Sequence, residues 1–138
     1  MHLVLAANAQ ADQPWVADAV ADFARKTGAT VAVVSVDELE LERLGAVPRS
    51  VFREQAELAA TAAVTRLAAA GITATHTVLS GGALERILEF ADSQEADLLV
   101  VGTSRRPAVA RRLLGSVPMA LIEHSPRPVL VVHVPPPD

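Results

Sequence analysis

The residues best suited to chemistry lie late in the chain. Gly102 closes an apolar run, Thr103, Ser104 and Arg105 follow it, and Gly115 and Ser116 come ten residues beyond Arg105. A glycine at the end of a strand lets a ligand lie close against the backbone. A Gly-Ser pair at a helix start turns backbone N–H groups and a hydroxyl toward an anion. Two such elements flanking one loop make a phosphate cradle. The same residues also make an ordinary turn and helix cap, and the physics alone does not separate the two. Arg105, Arg106, Arg111 and Arg112 raise the local positive potential, which suits phosphate and suits a solvated loop equally.

Other chemistries find little support. The chain has no cysteine, which removes disulfides, thiolate metal sites and a cysteine nucleophile. His2, His76, His124 and His133 have no metal-ligand spacing. No nucleophile elbow, Walker loop or paired-carboxylate pattern is present. Ser80-Gly81-Gly82 reads as a helix-initiating turn, and Trp15 as a packing residue at a helix start. The reading is therefore a protein with no catalytic residue and no metal. Sixteen acidic residues outweigh twelve basic ones for a net charge of −4, which argues against a nucleic-acid partner. No stretch approaches the roughly 20 apolar residues of a membrane span, and the short apolar start is a buried first strand rather than a signal segment. A cytoplasmic location is the default.

The elements that must position Gly102 and Gly115 follow from the apolar pattern. With 138 residues, 51% hydrophobic and only 3% aromatic, the chain predicts one domain over 1–138 whose core is Ala, Val, Leu and Ile. Leu3 to Ala6, Thr30 to Val36, Thr73 to Leu79, Asp97 to Gly102 and Arg127 to Val134 read as strands. Helical periodicities separate them, one from Asp12 as N-cap to Gly28, one from Ser50 as cap to about Ala70, one opening at Gly82 and one capped by Ser116. Phe52, Ala56, Ala59, Ala63 and Leu67 mark the inner face of the long helix, and 37–49 reads as a surface connection. Strands alternating with helices imply parallel pairing through right-handed crossovers. The expected fold is α/β, a single doubly wound open sheet with helices on both faces.

The run from Gly102 to Val117 resembles the universal stress protein family, whose members carry G-x-x-G-x9-G-[ST] here. Gly102, Gly115 and Ser116 stand at the family spacing, and Arg105 takes the place of the second glycine. The flanks Ala96 to Gly102, Leu114 to Val117 and Arg127 to Val132 resemble the family too, and the order of elements agrees over the whole chain. The resemblance implies a five-stranded sheet of order 3-2-1-4-5, Rossmann-like, with a ligand crevice between strands one and four. It implies ATP or AMP as ligand, with adenine near Ala7 and Val36. Ribose and phosphates would meet Val101, Gly102, Ser104 and Arg105, then Gly115, Ser116 and Val117.

Two positions depart from nucleotide-binding members. Ala7 and Asn8 stand where those members carry an aspartate at the end of strand one, leaving Asn8 or Asp12 to substitute. At Arg105 the side chain either fills the phosphate space or pairs with the phosphate. The function implied is a stress-response or regulatory protein that holds an adenine nucleotide. The alternative is a dimeric interaction module of the same family without a nucleotide; a third, weaker reading is an enzyme acting on another phosphorylated metabolite. Family members pair through the last strand, so Val129, Leu130, Val131, Val132 and Val134 are expected to form a homodimer edge.

Overall fold

The structure of the protein is a computed structural model, and it describes residues 1–38, 48–103 and 117–135. Five strands, β1 His2–Ala7, β2 Thr30–Glu38, β3 Ala74–Gly81, β4 Leu98–Gly102 and β5 Val129–Val132, form one sheet. All pairs are parallel and the order is β3-β2-β1-β4-β5, as the resemblance implies. The described helices are α1 Pro14–Thr27, α2 Arg49–Ala69, α3 Ala83–Ser93 and α4 Val117–His124.

The strand sequences show why the sheet is buried on both sides. Leu3, Leu5, Val31, Val33 and Val100 pack against α1 and α2. Their neighbours in the chain, Val4, Ala32, Val34, Leu99 and Val101, pack against α3 and α4. Alternate residues of a strand face opposite ways, so a continuous apolar run needs both faces covered. Few aromatics take part: α1 presents Ala17, Ala21 and Ala24, and α2 presents Ala56 and Ala60, all buried. β3 is an edge strand with Thr75 and His76 exposed. Of the inner-face residues expected on α2, Phe52, Ala56 and Leu67 are buried, whereas Ala60 takes the deep position and Ala59 and Ala63 are half-buried.

Helix starts differ from expectation. α1 begins at Pro14 with Gln13, not Asp12, at the N-cap, and no side chain caps it. The Val16 N–H already donates to the Gln13 carbonyl at 3.0 Å, and Pro14 has no N–H, so little is left for a side-chain cap to satisfy. α2 begins at Arg49 behind Pro48 in extended conformation, which places Ser50 inside the first turn. Proline's fixed φ serves at that N-cap in place of a hydroxyl. At its other end α1 stops at Gly28, as expected. Its φ of 73° is left-handed and its N–H reaches the Ala24 carbonyl at 2.8 Å. β5 is shorter than the run to Val134 suggests, ending at Val132. Ser116 as a cap and 39–47 of the surface connection lie outside the described residues.

Candidate functional site

The ladder registers locate a crevice. β1 stays paired with β2 as far as Ala7 opposite Ser35. Its pairing with β4 ends earlier, at Leu5 opposite Val100. Beyond that point β1 and β4 are no longer paired, and the helices that follow them lie on opposite faces, α1 on one and α4 on the other. Such a switch point at the carboxyl ends of the strands is where open α/β sheets bind ligands.

The two lips are held by one side chain. Gln13 Nε2 donates to the Thr103 carbonyl at 2.9 Å, joining residues 90 apart in sequence. Gly102 is what makes this possible. A Cβ there would stand 2.4 Å from Val16 Cγ2 and 2.8 Å from Gln13 Oε1. The space the glycine leaves is used by α1, so this glycine serves close helix-to-strand packing as well as any ligand. Thr103 is tied on its other sides too. Its N–H donates to the Val132 carbonyl at 3.0 Å, and its Oγ1 accepts from the Val134 N–H at 3.1 Å.

A cleft of about 910 Å³ opens beside this crevice, between the loop from Ala7 to Gln13, α1 and α2. Its floor is largely alanine, including Ala7, Ala17, Ala59 and Ala63, with Gln10, Gln13, Gln55 and Thr61 at its edges. A volume of that size and an apolar lining with a few polar groups suit a small organic molecule. Asn8 folds back in an Asx turn, its Oδ1 accepting from the Gln10 N–H at 2.8 Å. That bond uses the Asn8 side-chain oxygen, so this end of β1 offers the cleft an amide and not a carboxylate. Asp12 lines the cleft and is exposed. Arg66, also on the wall, is engaged by Asp18 of α1, with Nε–Oδ1 at 2.7 Å and Nη2–Oδ2 at 3.0 Å. This hydrogen-bonded guanidinium holds the Asp18 carboxyl below its ordinary range, against the opposing effect of burial.

Of the residues expected at the site, Ala7 ends β1 and lines the cleft, and Gly102 ends β4 across from it. Val36 lies one strand over, with its side chain buried on the α3 and α4 face, away from Ala7. Val101 and Val117 pack on that same face. Ser104, Arg105, Gly115 and Ser116 lie outside the described residues. Sequence reasoning missed three polar residues at this end of the sheet. Gln13 carries no signal, because a glutamine before a helix proline is unremarkable in sequence. Asp37 at the end of β2 is buried and accepts from Ser80 Oγ at 3.3 Å, a hydroxyl that in turn accepts from Arg53 Nη1 at 3.4 Å. Two residues back on the same strand and the same face, Ser35 Oγ is buried without a hydrogen-bond partner. Among the described residues no cluster of three or more His, Cys, Asp or Glu is placed to hold a metal. His2 is satisfied, its ring nitrogens 2.7 Å from Thr30 Oγ1 and 3.0 Å from Gln94 Oε1. No described helix is long and apolar enough to cross a membrane.

Comparison with known proteins bears out the family resemblance and the fold. The sequence profile of the universal stress protein family matches residues 1–133. Universal stress protein MJ0531 of Methanocaldococcus jannaschii is 44% identical over 61 residues, 44% of this chain but only 36% of that protein's length. Universal stress protein SH1215 of Staphylococcus haemolyticus is 26% identical over 145 aligned positions, covering 95% of this chain and 83% of its own. A crystal structure of a universal stress protein in complex with cAMP superposes with a TM-score of 0.72 at 26% identity, covering 96% of each chain.

Proposed function

This chain belongs to the universal stress protein family, and on that premise we propose that it is a regulatory binding protein that holds an adenine nucleotide at the ends of β1 and β4. The observation that carries the reading is the early parting of these two strands, beside a cleft of about 910 Å³ whose lining shares Ala7, Gln13 and Val16 with that end of the sheet. The cAMP complex of a 26% identical relative supports an adenine nucleotide as the ligand class. The base would lie toward Ala7, on the cleft side of the sheet and not toward the buried Val36 side chain, and the sugar and phosphates toward Gly102 and the stretch containing Ser104, Arg105, Gly115 and Ser116. Titration calorimetry with ATP, AMP and cAMP tests this. Saturable binding is expected, and no heat with any of the three at millimolar concentration overturns it.

A second reading has its own observation. Gln13 and Val16 already occupy the space over Gly102, which favours an interaction module that carries no nucleotide. In either reading β5 is the expected pairing edge of a homodimer. Within a parallel ladder the N–H and C=O of one residue point the same way. The Pro128 and Val132 carbonyls accept from Leu99 and Thr103 of the β4 side. Val129 and Val131 therefore turn their backbone groups to the open edge, where a second copy can pair.

A further inference from the structure

We propose that Gln13 is a latch that decides what can reach Gly102. Only the identity of the ligand rests on the nucleotide reading; the latch itself rests on the contacts of this chain. Its orientation is fixed by chemistry. The Thr103 carbonyl is only an acceptor, so the amide NH2 must face it, and the 2.9 Å bond leaves Oε1 turned over Gly102. With the latch closed, the glycine shows the crevice a carbonyl oxygen. That oxygen repels a phosphate oxygen and fills the volume where phosphate would approach the backbone.

An anionic ligand that needs Gly102 must therefore break the Gln13–Thr103 bond and turn the side chain away. Gln13 is free to do so at modest cost. It is only half-buried, it lines the open cleft, and its side chain caps no N–H of α1. Val16 stays behind as the fixed part of the lining, buried in the core. Opening also releases Thr103, whose remaining bonds run to Val132 and Val134 at the end of β5. The latch thus sets both access to Gly102 and the firmness of the β4 terminus.

Gln13→Ala removes the bond and the bulk; Gln13→Met removes the bond and keeps bulk over Gly102. We expect Gln13→Ala to bind ATP about three- to tenfold more tightly than the parent, the worth of one hydrogen bond, while melting at a lower temperature. Gln13→Met should gain less. A residue that only supports the fold would lower stability and affinity together. In both variants the Thr103 and Val134 amides should exchange hydrogen faster than in the parent. Equal or weaker ATP binding by a folded Gln13→Ala overturns the gating role. Unchanged exchange at Thr103 and Val134 overturns the latch itself. If neither the parent nor the variants bind ATP or AMP at millimolar concentration, the nucleotide reading fails, and the exchange rates alone decide whether the latch exists.

Discussion

Replacing Gly102 with alanine tests how closely α1 lies on the end of β4. The added Cβ would meet Val16 Cγ2 at 2.4 Å and Gln13 Oε1 at 2.8 Å, both closer than van der Waals contact allows. Gln13 can swing aside, losing its bond to Thr103, which costs about 0.5–1.5 kcal/mol. Val16 cannot: it is 3% exposed and its branched side chain has one favoured rotamer in a helix. Shifting it overpacks the core, at about 1–3 kcal/mol. Together the substitution should destabilise by about 2–4 kcal/mol. For a chain of 138 residues the unfolding entropy is about 0.29 kcal/mol/K, so the melting temperature should fall by about 7–14 °C. Urea and thermal unfolding read this directly. A double-mutant cycle with Val16→Ala isolates the contact and should show a favourable coupling of at least about 1 kcal/mol. A loss below about 1 kcal/mol for Gly102→Ala, or strict additivity in the cycle, refutes the packing argument.

Other outcomes follow from single features. Val131→Pro removes an N–H on the open side of β5 and spares the bonds to β4, so it should turn a dimer into a monomer in light scattering while leaving the melting temperature within about 5 °C; an unchanged mass refutes pairing through β5. Asp18→Asn should lower stability only slightly at neutral pH, because the pair with Arg66 is exposed. The folded-state carboxyl titrates below its unfolded value of 3.8, so that difference should be fully present above the unfolded value and be lost as the pH falls through the lower folded-state one. Arg127 Nε donates to the Ala96 carbonyl at 2.8 Å and its side chain is only 17% exposed. Arg127→Ala should therefore cost about 1–3 kcal/mol in urea unfolding.

Most of the architecture was legible because both its signals are periodic. Val31 to Val36 announce a strand covered on both faces, and Gly28 after Arg25 and Lys26 announces a helix end. The strand order came from the resemblance, since no local pattern states which strands neighbour each other. Helix starts were read less well, because Pro48 and Gln13 supply backbone geometry where a Ser or Asp side chain was expected. The site was half legible. Gly102 stood out, but its packing against Val16 and Gln13 joins residues about 90 positions apart, and nothing in the spacing of either segment records it. Asp37 was hidden for a similar reason: it follows an apolar strand and looks like the first residue of a loop, yet the sheet carries it inward to Ser80 of β3.

Trp15 is the one tryptophan in a chain without tyrosine, and it stands in the first turn of α1, two residues from Gln13 and one from Val16. It is half-buried against the core on the α1 face. The intrinsic fluorescence of the unmodified protein is therefore a built-in optical gauge of a single place, the helix start that flanks the crevice. Excitation at the red edge of protein absorbance reads that turn with no background from elsewhere in the fold. Emission wavelength and quenching by a small neutral collider then follow the polarity and openness of the crevice mouth in real time, without a label and in the same cuvette as a ligand titration.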